Sequence, residues 1–348
     1  RQLWLTRESM PAFRALADET RALARARFGD AGVPYLILQL THSGRFSRTA
    51  APGSRKAACH NPHLDRDVLP VWTDDELARV RDAFVAAARL AAEAGFDAVD
   101  IKSCHGYLID ELLGARRRTG SRYGGSFENR SRLLFEIIDG VRAEAPGLAV
   151  AVRFNATDGV AYPFGFGVEA EEGSVAIDLD EPRRLVELLG RAGCALLNVS
   201  AGIPTYNPHV GRPFDRPADG AGPSPEHPMT GVVRLLDLSR ELQAAARPVP
   251  VVATGLSWLR QFWPNVAAAV VERGMATFAG LGREAFAYPD APADLIERGA
   301  LDDNKCCIAC SRCTELMRLD STPGCATRDR PLYATIHRDA VAAAGGRS

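Results

Sequence analysis

The sequence predicts an α/β fold, a (β/α)8 TIM barrel that is incomplete at its N-terminus and is followed by a cysteine-rich C-terminal segment. Short apolar, β-branched runs alternate with amphipathic stretches along most of the 348 residues, which is typical of a parallel sheet with helical connections. The apolar runs are mostly continuous, as expected for strands covered on both faces. No G-x-G-x-x-G follows a strand, so nothing favours a Rossmann dinucleotide site.

Six strands are predicted from these runs. In order, they are 35–40, 98–102, 148–154, 195–199, 249–253 and 276–279. A barrel of this kind needs eight strands, and the chain begins with Arg1 rather than Met. We therefore expect two leading β/α units, of about sixty to eighty residues, upstream of this sequence. The alternative is an open six-stranded sheet.

The stretches between the strands carry the start and stop signals of helices. Thr73 and Glu76 form a capping-box pattern, apolar residues then recur at helical spacing, and Gly95 ends the stretch. Similar helical stretches are 133–145, 181–192, 229–246 and 258–274. Two long loops rich in Gly and Pro, 156–180 and 200–228, follow strands at the end where barrel enzymes carry their chemistry. We expect a barrel domain over 1–289 and a C-terminal extension over 290–348.

Composition excludes several classes of function. The 42 basic and 43 acidic residues leave a net charge of -1, which creates no field to attract nucleic acid or an anionic membrane. No run reaches the roughly 18 apolar residues of a membrane helix, and no signal-peptide pattern opens the sequence. These features predict a cytoplasmic enzyme that acts on a small molecule.

Five of the eight cysteines fall in one short C-terminal stretch. Clustered cysteines in a large chain favour metal ligation in a reducing compartment over disulfides. The spacing Cys307-x2-Cys310-x2-Cys313-x11-Cys325 supplies four thiolates, which suits either a [4Fe–4S] cluster or tetrahedral zinc. Cys306 is an alternative first ligand.

Three polar residues follow the strand at 98–102, at the end where a barrel carries its active site. They are Lys102, His105 and Tyr107. A cation or an imidazole can polarise a substrate oxygen, and a phenol can deliver a proton. The alternative is that His105 and Tyr107 are half-buried structural residues with satisfied hydrogen bonds.

The sequence around these residues resembles the signature of the old yellow enzyme family. Residues 95–108 read GFDAVDIKSCHGYL, similar to the family's G-F-D-x-V-x-I followed by H-G-Y-L, and residues 123–130 read YGGSFENR. Further matches in the family's order are QLTHSGR at 39–45, VR at 152–153, ATG at 253–255 and GLGR at 280–283. The resemblance covers residues 1–335. It implies an FMN-binding barrel of the old yellow enzyme and 2,4-dienoyl-CoA reductase type.

The resemblance implies flavin-binding roles for five matching residues. Gln39 would hydrogen-bond the pyrimidine edge of FMN, and Arg153 would lie near N1 and O2 of the ring. Gly255, Gly282 and Arg283 would hold the phosphate. The chemistry of these residues agrees, because glycines let backbone N–H groups approach a phosphate and arginine offers a planar fork of donors.

The resemblance also implies the catalytic roles. Tyr107 matches the family's proton donor, and His105 matches one of two residues that hold the substrate oxygen. The second is usually His, and here it is Lys102, a point-charge donor without the geometry of an imidazole. This departure indicates an unusual substrate. A Schiff base at Lys102 is the competing interpretation.

The same resemblance also implies a function for the spaced cysteines. Trimethylamine dehydrogenase and 2,4-dienoyl-CoA reductase carry a similar C-I-x-C-x2-C segment after the barrel, and it binds a [4Fe–4S] cluster. Such relatives continue into FAD and NAD(P)H domains. We therefore expect electrons from a partner domain, from a partner subunit or from NAD(P)H acting directly at FMN, in a chain that could form a homo-oligomer.

The expected function is FMN-dependent reduction of an activated C=C bond in an enone or an enoyl thioester. Hydride would come from N5 of FMN, a proton from Tyr107, and electrons from NAD(P)H. The alternatives are amine dehydrogenation or demethylation on the same FMN and [4Fe–4S] scaffold, and a non-redox barrel with structural zinc.

Overall fold

The computed structural model describes residues 3–47, 55–216 and 222–345. These residues form two compact units. The N-terminal unit comprises Leu3–Asn207 together with Glu241–Val251, and the C-terminal unit comprises Pro208–Arg240 and Val252–Ser348. The predicted domain boundary after residue 289 stays a prediction.

Six strands lie in the described residues, at the positions that the sequence predicts. They are β1 (Ile37–Leu40), β2 (Ala98–Ser103), β3 (Ala149–Asn155), β4 (Leu196–Ser200), β5 (Val251–Ala253) and β6 (Phe278–Ala279). In the N-terminal unit, β1, β2 and β3 each pair in parallel with the next strand along the chain. In the C-terminal unit, Val252 and Ala253 of β5 pair in parallel with β6. The prediction of a parallel α/β fold is confirmed.

Helices separate these strands. The α-helices of the described residues are α1 (Met10–Phe28), α2 (Asp74–Glu93), α3 (Leu108–Leu113), α4 (Phe127–Glu144), α5 (Asp180–Arg191), α6 (Pro208–Gly211), α7 (Pro228–Ala246), α8 (Trp263–Glu272), α9 (Arg283–Ala287), α10 (Ala291–Arg298), α11 (Arg312–Arg318) and α12 (Arg330–Gly345). Short 3-10 turns lie at Asp30–Gly32, Gly44–Phe46 and Leu256–Phe262. Among the described helices, none is long and apolar enough to span a bilayer.

Helix α2 begins as its capping pattern predicts. The Thr73 hydroxyl accepts a hydrogen bond from the backbone N–H of Glu76 at 3.2 Å, and the Glu76 carboxylate accepts one from the N–H of Thr73 at 2.9 Å. This reciprocal pair satisfies two of the donors that a helix start leaves open. Leu77, Phe84 and Ala88 are buried, so the predicted apolar face is the one that packs.

The predicted helix over 258–274 is wrong in its first part. The chain forms a 3-10 turn up to Phe262, where Arg260 has a φ of 52°, and α8 begins only at Trp263. Pro264 in the first turn explains the restart, because proline has no N–H and is best tolerated at the start of a helix. Helix α1 precedes β1, in a stretch where the sequence predicted neither a helix nor a strand.

The core of the N-terminal unit is built on β2 and β3. Val99, Ile101, Val150 and Val152 are at most 2% exposed. Each such side chain contributes about 1.5–3 kcal/mol by leaving water. The two strands therefore form a rigid support for the polar residues at their carboxyl ends.

Candidate active site and cysteine cluster

Polar side chains occupy one face of the sheet at the carboxyl ends of β2, β3 and β4. Lys102 pairs in register with Arg153, and Arg153 pairs with Asn198. Residues in register across parallel strands project from the same face. Two cations and an amide thus lie side by side on adjacent strands, where the sequence predicted only Lys102 and Arg153.

Gln39 extends this polar row on β1. Its side-chain nitrogen donates to Oδ2 of Asp100 on β2 at 2.6 Å. Burial raises the pKa of Asp100, while the Gln39 hydrogen bond and the Arg153 cation oppose the rise. One of the two side-chain N–H groups of Gln39 is therefore engaged within the protein.

Lys102 and Tyr107 contact each other. The Lys102 Nζ lies 3.6 Å from the centroid of the Tyr107 ring, a close cation–π arrangement. Burial lowers the pKa of Lys102, and the neighbouring Arg153 cation lowers it further. The ring of Phe46 lies 6.1 Å from that of Tyr107 and is tilted by 41° to it.

His105 is held by a residue that the sequence did not single out. Its Nε2 lies 2.7 Å from the hydroxyl of Ser200, at the end of β4. His105 and Gly106 both have a positive φ, of 70° and 73°. A Cβ at Gly106 would come within 2.9 Å of the Ile203 side chain, so glycine is required here for its conformation and for its size.

Several buried polar atoms at this face have no hydrogen-bond partner among the described residues. They are Thr41 Oγ1, Asp100 Oδ1, Arg153 Nε and Asn198 Oδ1. Buried polar groups are otherwise satisfied in folded proteins, because leaving them unpaired costs about 1–3 kcal/mol each. Donors and acceptors left open on a flat sheet face fit a planar polar ligand such as the isoalloxazine ring of FMN.

The predicted phosphate residues lie in the C-terminal unit. Gly255 has a φ of 94°, and a Cβ there would meet a side-chain carbon of Leu235 at 2.3 Å. Arg283 donates from Nη2 to the carbonyl oxygen of Pro213 at 3.2 Å, while its Nη1 is buried with no partner in the described residues. Space opens around Gly282, where an added Cβ would meet nothing within 4 Å. These features suit a phosphate, which takes backbone and guanidinium donors.

Four of the five clustered cysteines line one cavity in the C-terminal unit. They are Cys307, Cys310, Cys313 and Cys325. Arg283, Arg312 and Arg328 line the same cavity. Burial raises the pKa of Cys307 to about 11, and Arg283 opposes this rise. These arginine cations lie where they can compensate the negative charge of thiolates that bind a metal group.

Backbone groups also face these sulfur atoms. The N–H of Ala309 donates to the sulfur of Cys307 and the N–H of Arg328 to that of Cys325, each at 3.3 Å. Ala309 and Ser311 have positive φ values, of 54° and 62°. This turn lets the backbone wrap around the cavity and supply donors to sulfur.

Cys306 faces away from the cavity. It belongs to a buried apolar cluster with Trp263 and Tyr288, and its sulfur lies 3.5 Å from the carbonyl oxygen of Asp302. Of these two neighbours, Cys307 is the one that lines the cavity, and its role as the first ligand stays a prediction. Within the described ranges, no group of three or more His, Cys, Asp or Glu side chains is arranged to hold a metal ion.

Fold and site together define a parallel α/β scaffold of the flavin oxidoreductase class. Residues 35–180 match the NADH:flavin oxidoreductase / NADH oxidase family. This match covers fewer than half of the 348 residues and confirms the resemblance to the old yellow enzyme group over that segment.

Several curated proteins are similar to this chain. An NADH:flavin oxidoreductase of Gibberella zeae is 37% identical over 196 residues, or 47% of this chain and 44% of the relative. An NADH-dependent flavin oxidoreductase of Hypocrea jecorina is 29% identical over 297 residues, or 78% and 67%. Dimethylamine dehydrogenase of Hyphomicrobium is 29% identical over 258 residues, or 73% and 31%. The chain thus spans less than half the length of two of these relatives.

Solved structures share the fold. A 2-naphthoyl-CoA reductase complex superposes with a TM-score of 0.73 at 21% identity, over 97% of this chain and 47% of that chain. Histamine dehydrogenase from Rhizobium gives 0.66 at 24%, over 92% and 41%. The old yellow enzyme homologue of Zymomonas mobilis gives 0.54 at 23%, over 82% and 73%. These similarities confirm the TIM-barrel fold class.

Proposed function

We propose that this chain is the flavin-binding part of an FMN-dependent oxidoreductase that reduces an activated C=C bond, in an enone or an enoyl thioester, with NAD(P)H as the electron source. The observation that carries the proposal is the group at the ends of β2 and β4. There Lys102 lies on the ring of Tyr107, and Ser200 holds His105. A cation, an imidazole and a phenol in one place can bind a carbonyl oxygen and deliver a proton.

For FMN we propose Gln39 and Arg153 as ring contacts, and Gly255, Gly282 and Arg283 as phosphate contacts. When bound, FMN supplies the hydride. The open Nε of Arg153 supports the first part, because a guanidinium N–H needs an acceptor when it is buried. The open Nη1 of Arg283 and the open space around Gly282 support the second part.

The protein's own residues would act on the substrate oxygen and the α-carbon. Lys102 and His105 would donate to the oxygen and stabilise the negative charge that develops there. Tyr107 would donate its phenolic proton to the α-carbon. The Lys102 cation on the ring stabilises the phenolate that remains, and this lowers the cost of proton transfer.

The test is anaerobic FMN titration followed by separate assays of the two half-reactions. Tyr107→Phe should leave FMN binding and reduction by NADH intact and slow the reduction of a cyclic enone by about a hundredfold or more. Tyr35→Phe is the control, since it removes a phenolic oxygen at an exposed position. Full turnover by the Tyr107 variant would remove this residue from its role. Failure to bind FMN would end the whole proposal.

Oxidation of an amine is the second candidate. The similarity to dimethylamine dehydrogenase and histamine dehydrogenase favours it. The adjacent positions of Lys102 and Arg153 oppose it, because two cations disfavour a bound ammonium. Flavin reduction by secondary amines without any reduction of enones would decide for this candidate.

For the cysteines we propose a [4Fe–4S] cluster held by Cys307, Cys310, Cys313 and Cys325. The shared cavity and the N–H groups that face sulfur support the cluster. Tetrahedral zinc, with Zn–S of about 2.3 Å, would bring all four sulfurs to within about 3.8 Å of one another. A [4Fe–4S] cluster takes four thiolates, the number of cysteines that line this cavity.

Electron supply and assembly remain proposals. A cluster passes single electrons, so it needs a second redox group within reach. We propose a partner domain or subunit that carries FAD or an NAD(P)H site, and a homo-oligomeric assembly. The cytoplasmic location stays a prediction. Anaerobic stopped-flow spectra with NADH, with and without an added flavin reductase, would show whether this chain accepts electrons directly.

A further inference from the structure

A buried carboxyl group lies beneath the turn that carries His105 and Tyr107. Asp110 in α3 is fully buried. Its Oδ2 accepts hydrogen bonds from the backbone N–H of Gly106 at 2.6 Å and from the side-chain nitrogen of Asn155 at 3.1 Å. The carboxyl group thus anchors the middle of the turn and ties it to the end of β3.

A second buried carboxyl group completes the cluster. Asp158 accepts from the side-chain nitrogen of Asn155 at 2.9 Å and from the backbone N–H of Phe166 at 2.9 Å. The same Asn155 nitrogen also donates to the carbonyl oxygen of Gly202 at 3.1 Å. Asn155 therefore connects both carboxyl groups and the loop that follows β4, since one nitrogen lies within hydrogen-bond distance of an oxygen of each carboxyl group.

The hydrogen bonds of Asp110 determine where a proton must lie. Its Oδ2 receives two N–H donors, but its Oδ1 receives none from the described residues. Both oxygens of Asp158 already accept N–H donors. Two ionised carboxylates that share one donor nitrogen inside a protein repel strongly, and such pairs hold one proton between them. An O–H on Oδ1 of Asp110 that donates to Asp158 satisfies both groups.

We propose that Asp110 and Asp158 share one proton, and that this acid–carboxylate pair is the positioning device that holds the turn of His105 and Tyr107 in place. Both aspartates are positioning residues, since neither touches the proposed substrate. Their effect on catalysis rests on the proposed function. The shared proton itself does not, because it follows from the burial and the hydrogen bonds of the pair.

The electrostatic surroundings agree with this assignment. Burial raises the pKa of Asp110 well above its usual range, and the neighbouring Asp158 raises it further. Burial raises the pKa of Asp158 to about 6, although the hydrogen bonds from Asn155 and from the backbone of Phe166 lower it. The other titratable or charged groups that interact with the pair are Lys102, Cys104, Glu111 and Arg116. Of these, Arg116 stabilises an ionised Asp158, and Glu111 disfavours an ionised Asp110.

The shared proton gives a pH dependence that the variant Asp110→Asn should lack. Asparagine keeps the shape and both acceptor contacts of the oxygen, and its amide can donate to Asp158 without titrating. In the wild type, the folded state keeps a proton that the unfolded chain releases near pH 3.8. Stability therefore falls as pH rises above that value, by about a factor of ten in the unfolding constant per pH unit for one proton.

The experiment is urea unfolding of the full chain from about pH 5 to pH 7, for the wild type and three variants. The ratio of the wild-type unfolding constant to that of Asp110→Asn should rise about tenfold per pH unit. Asp139→Asn, at an exposed position of α4, should follow the wild type. Asp110→Leu should be less stable at every pH, because it leaves the Gly106 N–H without an acceptor. Parallel curves for the wild type and Asp110→Asn would overturn the proposal.

Infrared spectroscopy provides a measurement that does not depend on a variant that folds. With labelled aspartate, the wild type at pH 7 should show the carbonyl stretch of a neutral carboxylic acid, because exposed aspartates are ionised there. The band should disappear in Asp110→Asn and persist in Asp139→Asn. Absence of the band in the wild type would refute the shared proton. Loss of FMN binding or of enone reduction would instead refute the proposed function. It would not affect the proposal that Asp110 and Asp158 share a proton.

Discussion

The turn that carries the catalytic candidates makes a sharp prediction for Gly106→Ala. Gly106 has a φ of 73°, and an added Cβ would lie 2.9 Å from the Ile203 side chain and 3.1 Å from that of Phe46. The left-handed conformation costs a residue with a Cβ about 1–2 kcal/mol. The added methyl group in a packed site costs about 1–3 kcal/mol more. We expect a loss of about 2–5 kcal/mol in the free energy of unfolding.

The assay is urea unfolding at fixed pH, with Gly120→Ala as the matched control. Gly120 has nearly the same φ, of 72°, but nothing lies within 4 Å of its added Cβ. The control should lose only the conformational part, about 1–2 kcal/mol. The difference between the two variants isolates the contact with Ile203 and Phe46. Equal losses would show that the packing around the turn is looser than the structure indicates.

Two further predictions concern the cysteines and the buried lysine. Cys310→Ser should abolish stable iron binding after anaerobic reconstitution. Cys306→Ser should keep the iron and sulfide content of the wild type. Equal loss of iron in both variants would contradict the assignment of Cys307 as the first ligand. Burial lowers the pKa of Lys102, so the folded state binds fewer protons than the unfolded chain below pH 10.5, and stability should rise with pH there. In Lys102→Met, the free energy of unfolding should no longer show this rise when it is measured from about pH 8 to about pH 10. A pH dependence equal to that of the wild type would contradict the prediction.

Most elements of the fold could be predicted because their signals are local. The continuous apolar runs of β2 and β3 and the capping box at Thr73 each need only a few neighbouring residues to be recognised. The break at Arg260 was missed because the apolar spacing continues through it. Pro264 was the available signal, since a proline marks the first turn of a helix more often than its interior.

Part of the candidate site could also be predicted from residues that lie close together in the sequence. Lys102, His105 and Tyr107 follow one strand within six residues, and the cysteine spacing lies within nineteen. Asn198 and Ser200 were missed, because a polar residue at a strand end is common and its partner lies on another strand. Their alternation along β4 with Leu197 and Val199 was the only signal of a polar face.

The sequence by itself determined the parallel α/β fold, the resemblance to the flavin oxidoreductases and the chemical groups at the end of β2, because those signals lie in contiguous residues. Only the tertiary structure decided that Ser200 holds His105 across 95 positions, and that Asn155 ties Asp110 to the end of β3 across 45. It also decided that Cys307 lines the cavity while Cys306 joins the apolar cluster. Hydrogen bonds between distant residues depend on strand register and burial, and neither can be recognised from a short stretch of sequence.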